Sequence, residues 1–293
     1  MKAQPGRKGY SLLEVLVALG LLVGVLSVTG AVFLSQAEAW RLQGRKVLRL
    51  QALRTALEAV ARDIRLAGYP EAEVLSRLLN NGWLPPAYIP ARPFQEQPRE
   101  AVTVVAGGTL PDGLMILALL PGETNPTNLL QAVRAGDTAL TLTLAAGEVA
   151  DQFRPGDLLV VGQPPELAQV TGSSGRELHI DTDPVLPGLQ GLLRDQAAGT
   201  TVGELSLVSY AVFNDQNDPG GAAHEPGIPV LKRKINAGGF EPLAEQISGF
   251  KIRILRPGNY EVLLEALPSL GPEGEAERLA RSLRLTSGSG KRN

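Results

Sequence analysis

Apolar residues run almost unbroken from Tyr10 through YSLLEVLVALGLLVGVLSVTGAVFLSQA, interrupted by one charge, Glu14. The next charge is Glu38. From Tyr10 to about Leu34 the stretch is long enough to cross a bilayer, which takes about 20 apolar residues. The pattern then changes period. Val47, Leu50, Leu53, Leu57, Val60, Ile64 and Ala67 recur at intervals of three and four, which keeps side chains on one helical face. Gly68 suits a C-cap, and Tyr69-Pro70 cannot continue a helix. One helix is therefore expected over 10–66, about 85 Å long at 1.5 Å per residue. Its outer half carries an apolar stripe and an Arg-rich opposite face.

A Pro-rich connection follows over 69–100, marked by Trp83, Pro85, Pro86, Pro90, Pro93 and Pro98. Alternation and β-branched content then predict strands at 101–106, 114–120, 139–144, 157–162, 167–171, 176–180 and 204–214. Further strands are expected at 232–235, 250–255, 260–264 and 283–286. Gly, Pro and Asp punctuate them, as in Ala135-Gly136-Asp137, Pro155-Gly156-Asp157 and Ser173-Ser174-Gly175. The class is α+β: a long N-terminal helix packed on a β-rich domain over 101–286. The tail 287–293, rich in Ser and Gly, reads as disordered.

Composition narrows the chemistry. At 293 residues, the chain has room beyond the apolar segment for one large domain or two small ones. No cysteine is present, which excludes disulfides and a lipid-modified cysteine anchor. The nine residues before Tyr10 hold Lys2, Arg7 and Lys8; without them 25 basic residues face 30 acidic ones. Such a balance is not that of an obvious nucleic-acid binder. The positive-inside rule gives no clean orientation, because Arg41, Arg45, Lys46 and Arg49 follow the apolar run on its other side. Gly20 and Gly24 form a weak small-xxx-small pair.

Enzyme signatures are missing. His179 falls in an expected strand and His224 in a Gly/Pro loop, not at metal-ligand spacing, and no nucleophile elbow or phosphate loop occurs. A pair of catalytic carboxylates has no sequence spacing to betray it among thirty acids, yet nothing points to one. The segment Asp215-Gln216-Asn217-Asp218-Pro219-Gly220 faintly resembles a calcium loop. It fails at Pro219, and Pro226 stands where a bidentate glutamate is needed. It reads better as a plain flexible turn. The expectation is a protein that is not an enzyme and holds no cofactor or metal.

Glu14 is the residue that demands an explanation. A charge at the centre of a membrane helix costs about 2.5–3.5 kcal/mol on insertion scales, so it persists where something compensates it. One alternative is a secretory signal cut near Ala37-Glu38-Ala39, but the apolar run is about twice the usual length. Another is a solvated glutamate tolerated near the helix end. In register, Lys8-Gly9 and then Tyr10-Ser11-Leu12-Leu13-Glu14-Val15-Leu16-Val17-Ala18-Leu19 resemble the class III signal of type IV pilins and pseudopilins.

That resemblance implies cleavage between Gly9 and Tyr10 by a prepilin peptidase, and methylation of the new amino terminus. Glu14 becomes the fifth mature residue, and the leader 1–9 stays in the cytoplasm. Tyr10 departs from the usual phenylalanine but keeps the ring. The implied fold is pilin-like, and the implied role is subunit assembly through the N-terminal helix. Implied partners are other major and minor pilins, the inner-membrane assembly platform and membrane lipid.

Further on, Arg62-Asp63-Ile64-Arg65-Leu66-Ala67-Gly68-Tyr69, Val208-Ser209-Tyr210, Leu231-Lys232-Arg233 and Glu241-Pro242-Leu243-Ala244-Glu245-Gln246-Ile247-Ser248-Gly249-Phe250 are similar, in order, to PilW-type minor pilins. In that group a tyrosine-bearing strand leads to a basic strand, a short helical turn and a last group of strands. Type II secretion pseudopilins of the J group share these motifs, so pilus and secretion roles both stand. The stretch 130–200 fits the resemblance less well and reads as an inserted β lobe. A lobe that grips DNA or a surface is a further alternative. The family implies a single-pass inner-membrane precursor with its C-terminal domain in the periplasm, later part of an extracellular fibre.

Overall fold

A computed structural model describes residues 12–67, 84, 86–89, 98, 100–119, 127–184, 186–221, 223–256, 258–270, 276–277 and 280–286. The leader, Gly9, Tyr10, the Gly68 cap, most of the Pro-rich connection and the tail 287–293 lie outside them. The chain divides into two compact units, Met1–Leu50 and Gln51–Asn293. Helix α1 (Leu12–Leu66) contributes to both.

In the first unit α1 exposes its apolar side chains throughout, Leu12, Leu16, Leu21, Val25 and Phe33 among them. The segment is apolar and long enough to cross a membrane. Its few hydroxyls are turned inward. Ser27 Oγ donates to the Val23 carbonyl and Thr29 Oγ1 to that of Val25, both at 2.8 Å. A hydroxyl so bonded presents no unsatisfied donor to hydrocarbon.

The second unit is built on antiparallel sheet. Its first elements are β1 (Val102–Val105), β2 (Gly113–Leu119), β3 (Thr127–Asn128), β4 (Ala139–Thr141), α2 (Ala146–Gln152), β5 (Leu158–Val161), β6 (Glu166–Ser174) and β7 (Glu177–Asp181). Then come β8 (Thr201–Phe213), β9 (Val230–Ile235), β10 (Glu241–Glu245), β11 (Ile247–Arg256), β12 (Asn259–Ala266), β13 (Ser269–Leu270), β14 (Ala276–Glu277) and β15 (Ala280–Thr286). A ten-stranded sheet runs β1-β2-β8-β5-β6-β7-β4, with β3 and β9 also on β8 and β10 on β9. A second sheet has the order β11-β12-β15.

Strand β8 holds the unit together because its thirteen residues serve different partners along their length. Val202 to Leu205 pair with β5, Leu205 to Tyr210 with β2, and Val208 to Phe213 with β9. Three cores result. The largest joins α1, through Leu53, Ala56, Leu57, Val60, Ala61 and Ile64, to Val208, Tyr210 and Val212 of β8 and Phe250, Val262 and Leu264 of the smaller sheet. On the opposite face of β8, Leu205 and Leu207 pack with Leu84 and Tyr88. A third core lies wholly within 129–202 and includes Leu140, Phe153, Val161, Val170 and Ile180.

Each strand segment expected from alternation falls on an observed strand. Two expectations need correction. Val47 is 51% exposed and Leu50 only half-buried, so the packed part of the stripe starts at Leu53. The segment after the basic strand is not a helical turn: Glu241–Glu245 is strand β10, paired with β9. Pro242 has no N–H to give, and the register shift between Pro242 and Ala244 lets it sit at the sheet margin. The short helix α2 and the two-residue strand β3 carry too few residues to produce a periodic signal.

Candidate functional site

Among the described residues, two of the places where charge meets apolar or buried surroundings lie on α1. Glu14 occupies the first turn of α1, where the positive end of the helix dipole favours a carboxylate. It is surrounded in sequence by the exposed side chains Leu12, Leu13, Val15, Leu16 and Val17. Gly9 and Tyr10, the expected processing residues, lie outside the described residues.

The second place is Asp63, which lies on the buried face of α1 and is wholly inaccessible. Tyr210 Oη donates to its Oδ2 at 2.5 Å, and Arg233 Nε donates to the same oxygen at 3.0 Å. Arg62 Nε approaches Oδ1 at 3.4 Å from the solvent side. Helix, β8 and β9 thus meet on one carboxylate. Asp63 lies 147 residues from Tyr210 and 170 from Arg233 in sequence, and folding makes the three motifs one network. Burial, and then the Asp63 charge, push the Tyr210 phenol well above its ordinary value of 10.0.

Strand alternation sends the next residue the other way. Lys234 is 7% exposed and its Nζ donates to the Ala87 carbonyl at 2.8 Å. Burial lowers its pKa. Beside it in the chain, Tyr88 Oη donates to Asp157 Oδ1 at 2.9 Å, which ties the 3-10 turn Pro86–Tyr88 to the start of β5. Burial, followed by the charge of Asp157, raises the Tyr88 phenol far above 10.0.

Both tyrosines protonate more readily folded than unfolded. Their contribution is therefore complete below about pH 10 and fades as pH rises past it, whereas the burial penalty of Lys234 is relieved earlier, as pH rises towards its ordinary value of 10.5. Tyr210→Phe is expected to flatten the alkaline loss of stability by about 1.4 kcal/mol per pH unit above pH 10. Urea midpoints of the full chain in detergent between about pH 9 and 11 check this; parallel profiles for the two proteins would contradict it.

The loop after β8 is more ordered than a plain turn. Asp215 Oδ1 meets His224 Nε2 at 2.8 Å and its Oδ2 accepts from Gly227 N–H at 3.1 Å. The hydrogen bond to His224 is the main reason the Asp215 carboxyl is held below its usual range. The Asn214 and Asn217 side chains close the backbone on itself, and the Asp218 carboxylate packs over Gly221. These acids are occupied in shaping the loop. Among the described residues no group of three or more His, Cys, Asp or Glu is placed to hold a metal ion. His179 is half-buried in β7, opposite Ala139.

Comparison with protein-family models, characterised proteins and solved structures finds no match for this chain.

Proposed function

We propose that this chain is a minor pilin, a structural subunit made as a precursor and assembled into a type IV pilus through α1. The observation that carries the reading is one acid in register within an exposed apolar helix, five residues beyond Gly9 in a basic leader. Removal of the leader at Gly9 creates an ammonium group on Tyr10. In a bundle of such helices, Glu14 of one subunit neutralises the Tyr10 ammonium of a neighbour away from water. The apolar segment serves first as an inner-membrane anchor, with the β-rich unit in the periplasm, and then as the packed centre of the fibre. The β-rich unit faces outward and selects neighbours among other pilins. Its work is packing and charge pairing, not catalysis, and the prepilin peptidase and the assembly platform are its partners on the way.

Mass spectrometry of the N-terminal peptide from the native host tests the proposal. The expected species begins at Tyr10 and carries a methyl group on its amine. A mature chain beginning near Trp40, or an uncut leader, would end the reading.

The same residues would serve a pseudopilin of a type II secretion system. A chromosomal deletion separates the two: loss of pili with normal exoprotein release supports the pilus role, and the converse supports secretion.

A further inference from the structure

Immediately after the apolar segment, α1 changes character within one turn. Trp40 is 77% exposed, and Arg41, Arg45 and Lys46 are exposed around it, with Arg49 half-buried. Glu38 is the single acid between Glu14 and Arg49, while the chain beyond residue 50 is acidic on balance. The basic band is therefore a local feature and not part of a general positive charge.

We propose that this band binds the anionic headgroups of the leaflet from which α1 emerges. The proposal rests on the membrane reading of α1 given above. Helical rise puts Arg41 about 10 Å, Arg45 about 16 Å and Arg49 about 22 Å beyond Leu34. The headgroup layer is about 5–7 Å deep on each side of the hydrocarbon. Side chains on a helix lean toward its N-terminus, here toward the bilayer, so the Arg41 guanidinium reaches the phosphate level. Arg45 lies within roughly one more Debye length of about 8 Å, and Arg49 lies at the limit of the surface potential. Trp40, amphipathic and on the turn that enters the headgroups, is the kind of side chain that fixes depth.

The acidic β-rich part would be repelled from an anionic surface. The band supplies the opposing attraction at the one place where chain and lipid must stay together. It thus holds α1 at a fixed depth, with the start of the packed stripe at Leu53 clear of the lipid. Nucleic acid would also satisfy the charge, but it does not account for Trp40 or for the position of the band against an apolar segment.

Trp40 itself reports on the outcome, because the chain has only two tryptophans. The full chain with Trp83→Phe is reconstituted into phosphatidylcholine vesicles containing phosphatidylglycerol. Energy transfer from Trp40 to an acyl-chain acceptor carried on phosphatidylglycerol is compared with transfer to the same acceptor on phosphatidylcholine. The expected result at low salt is an enrichment of the anionic lipid of about fivefold per engaged arginine. It should fall close to unity in about 1 M salt, where the Debye length is about 3 Å. Arg41→Gln should lower it most, Arg45→Gln less and Arg49→Gln least.

Equal transfer to both lipids overturns the proposal while leaving the anchor intact. Arg41- and Arg45-dependent DNA retention without lipid preference overturns it in favour of nucleic acid. A chain that gives no transfer to either lipid, and is recovered outside the vesicle fraction, removes the membrane reading itself.

Discussion

Asp63→Ala is expected to destabilise the β-rich unit by about 3–5 kcal/mol, a large part of the roughly 5–15 kcal/mol that holds a typical domain folded. The size of the effect comes from what remains behind. Asp63 has no exposed side-chain surface, and the Arg233 side chain that pairs with it is 15% exposed. Removing the carboxylate deprives Arg233 and the buried Tyr210 hydroxyl of their shared acceptor. Asp63→Asn keeps an oxygen for Tyr210 but not the charge, and should lose less. Combining Asp63→Leu with Arg233→Leu should recover much of the loss, because a packed apolar pair has no desolvation to repay. Thermal or urea unfolding of each full-chain variant in detergent, arranged as a double-mutant cycle, reads the coupling directly. A single Asp63→Ala variant within about 0.5 kcal/mol of the parent would show that the network does not hold α1 to β8 and β9.

Much of this architecture is written in residue spacing. The change from continuous apolar sequence to a three-and-four repeat marks where α1 turns from lipid-compatible to packed, and only Val47 and Leu50 are placed too early. Alternation locates the strands because one face of most of them meets a core. It says nothing of pairing order: β8 takes β5 near its start, β2 along its middle and β9 at its end, a choice made by long-range packing. Strand β10 escapes because Glu241-Pro242 lacks β propensity and its pairing depends on a bulge.

The Asp63 network escapes for a different reason, though a signal was present. Residue 63 is three beyond Val60 and four before Ala67, on the apolar stripe itself. A carboxylate in that position has to find a cation or a donor inside the protein, by the same logic that singles out Glu14. What spacing cannot supply is the identity of the partners, since Tyr210 and Arg233 lie on strands 147 and 170 residues away.

Glu14 poses a related problem within an apolar helix, and that gives Glu14→Ala two effects of opposite sign. Losing a charge near the end of an apolar helix favours insertion, by less than the roughly 2.5–3.5 kcal/mol of a central position, so the variant should be retained in the membrane at least as well as the parent. Assembly should move the other way. If Glu14 meets the Tyr10 ammonium of a neighbouring subunit, its loss leaves that cation unpaired in an apolar bundle. Breaking a buried pair on one side costs about 3–5 kcal/mol, or a hundredfold and more in association. Glu14→Gln sharpens the test, because it preserves size and hydrogen bonding while removing the charge, and should also enter sheared fibres poorly. Processing is measured alongside, so that an uncut precursor is not mistaken for a failed subunit. Normal membrane retention, normal cleavage at Gly9 and a large loss from the fibre fraction together point to charge pairing between subunits. Fibres that take up Glu14→Gln as readily as the parent would leave the glutamate without a role in assembly, since no loss of anchoring could then be invoked to explain the result.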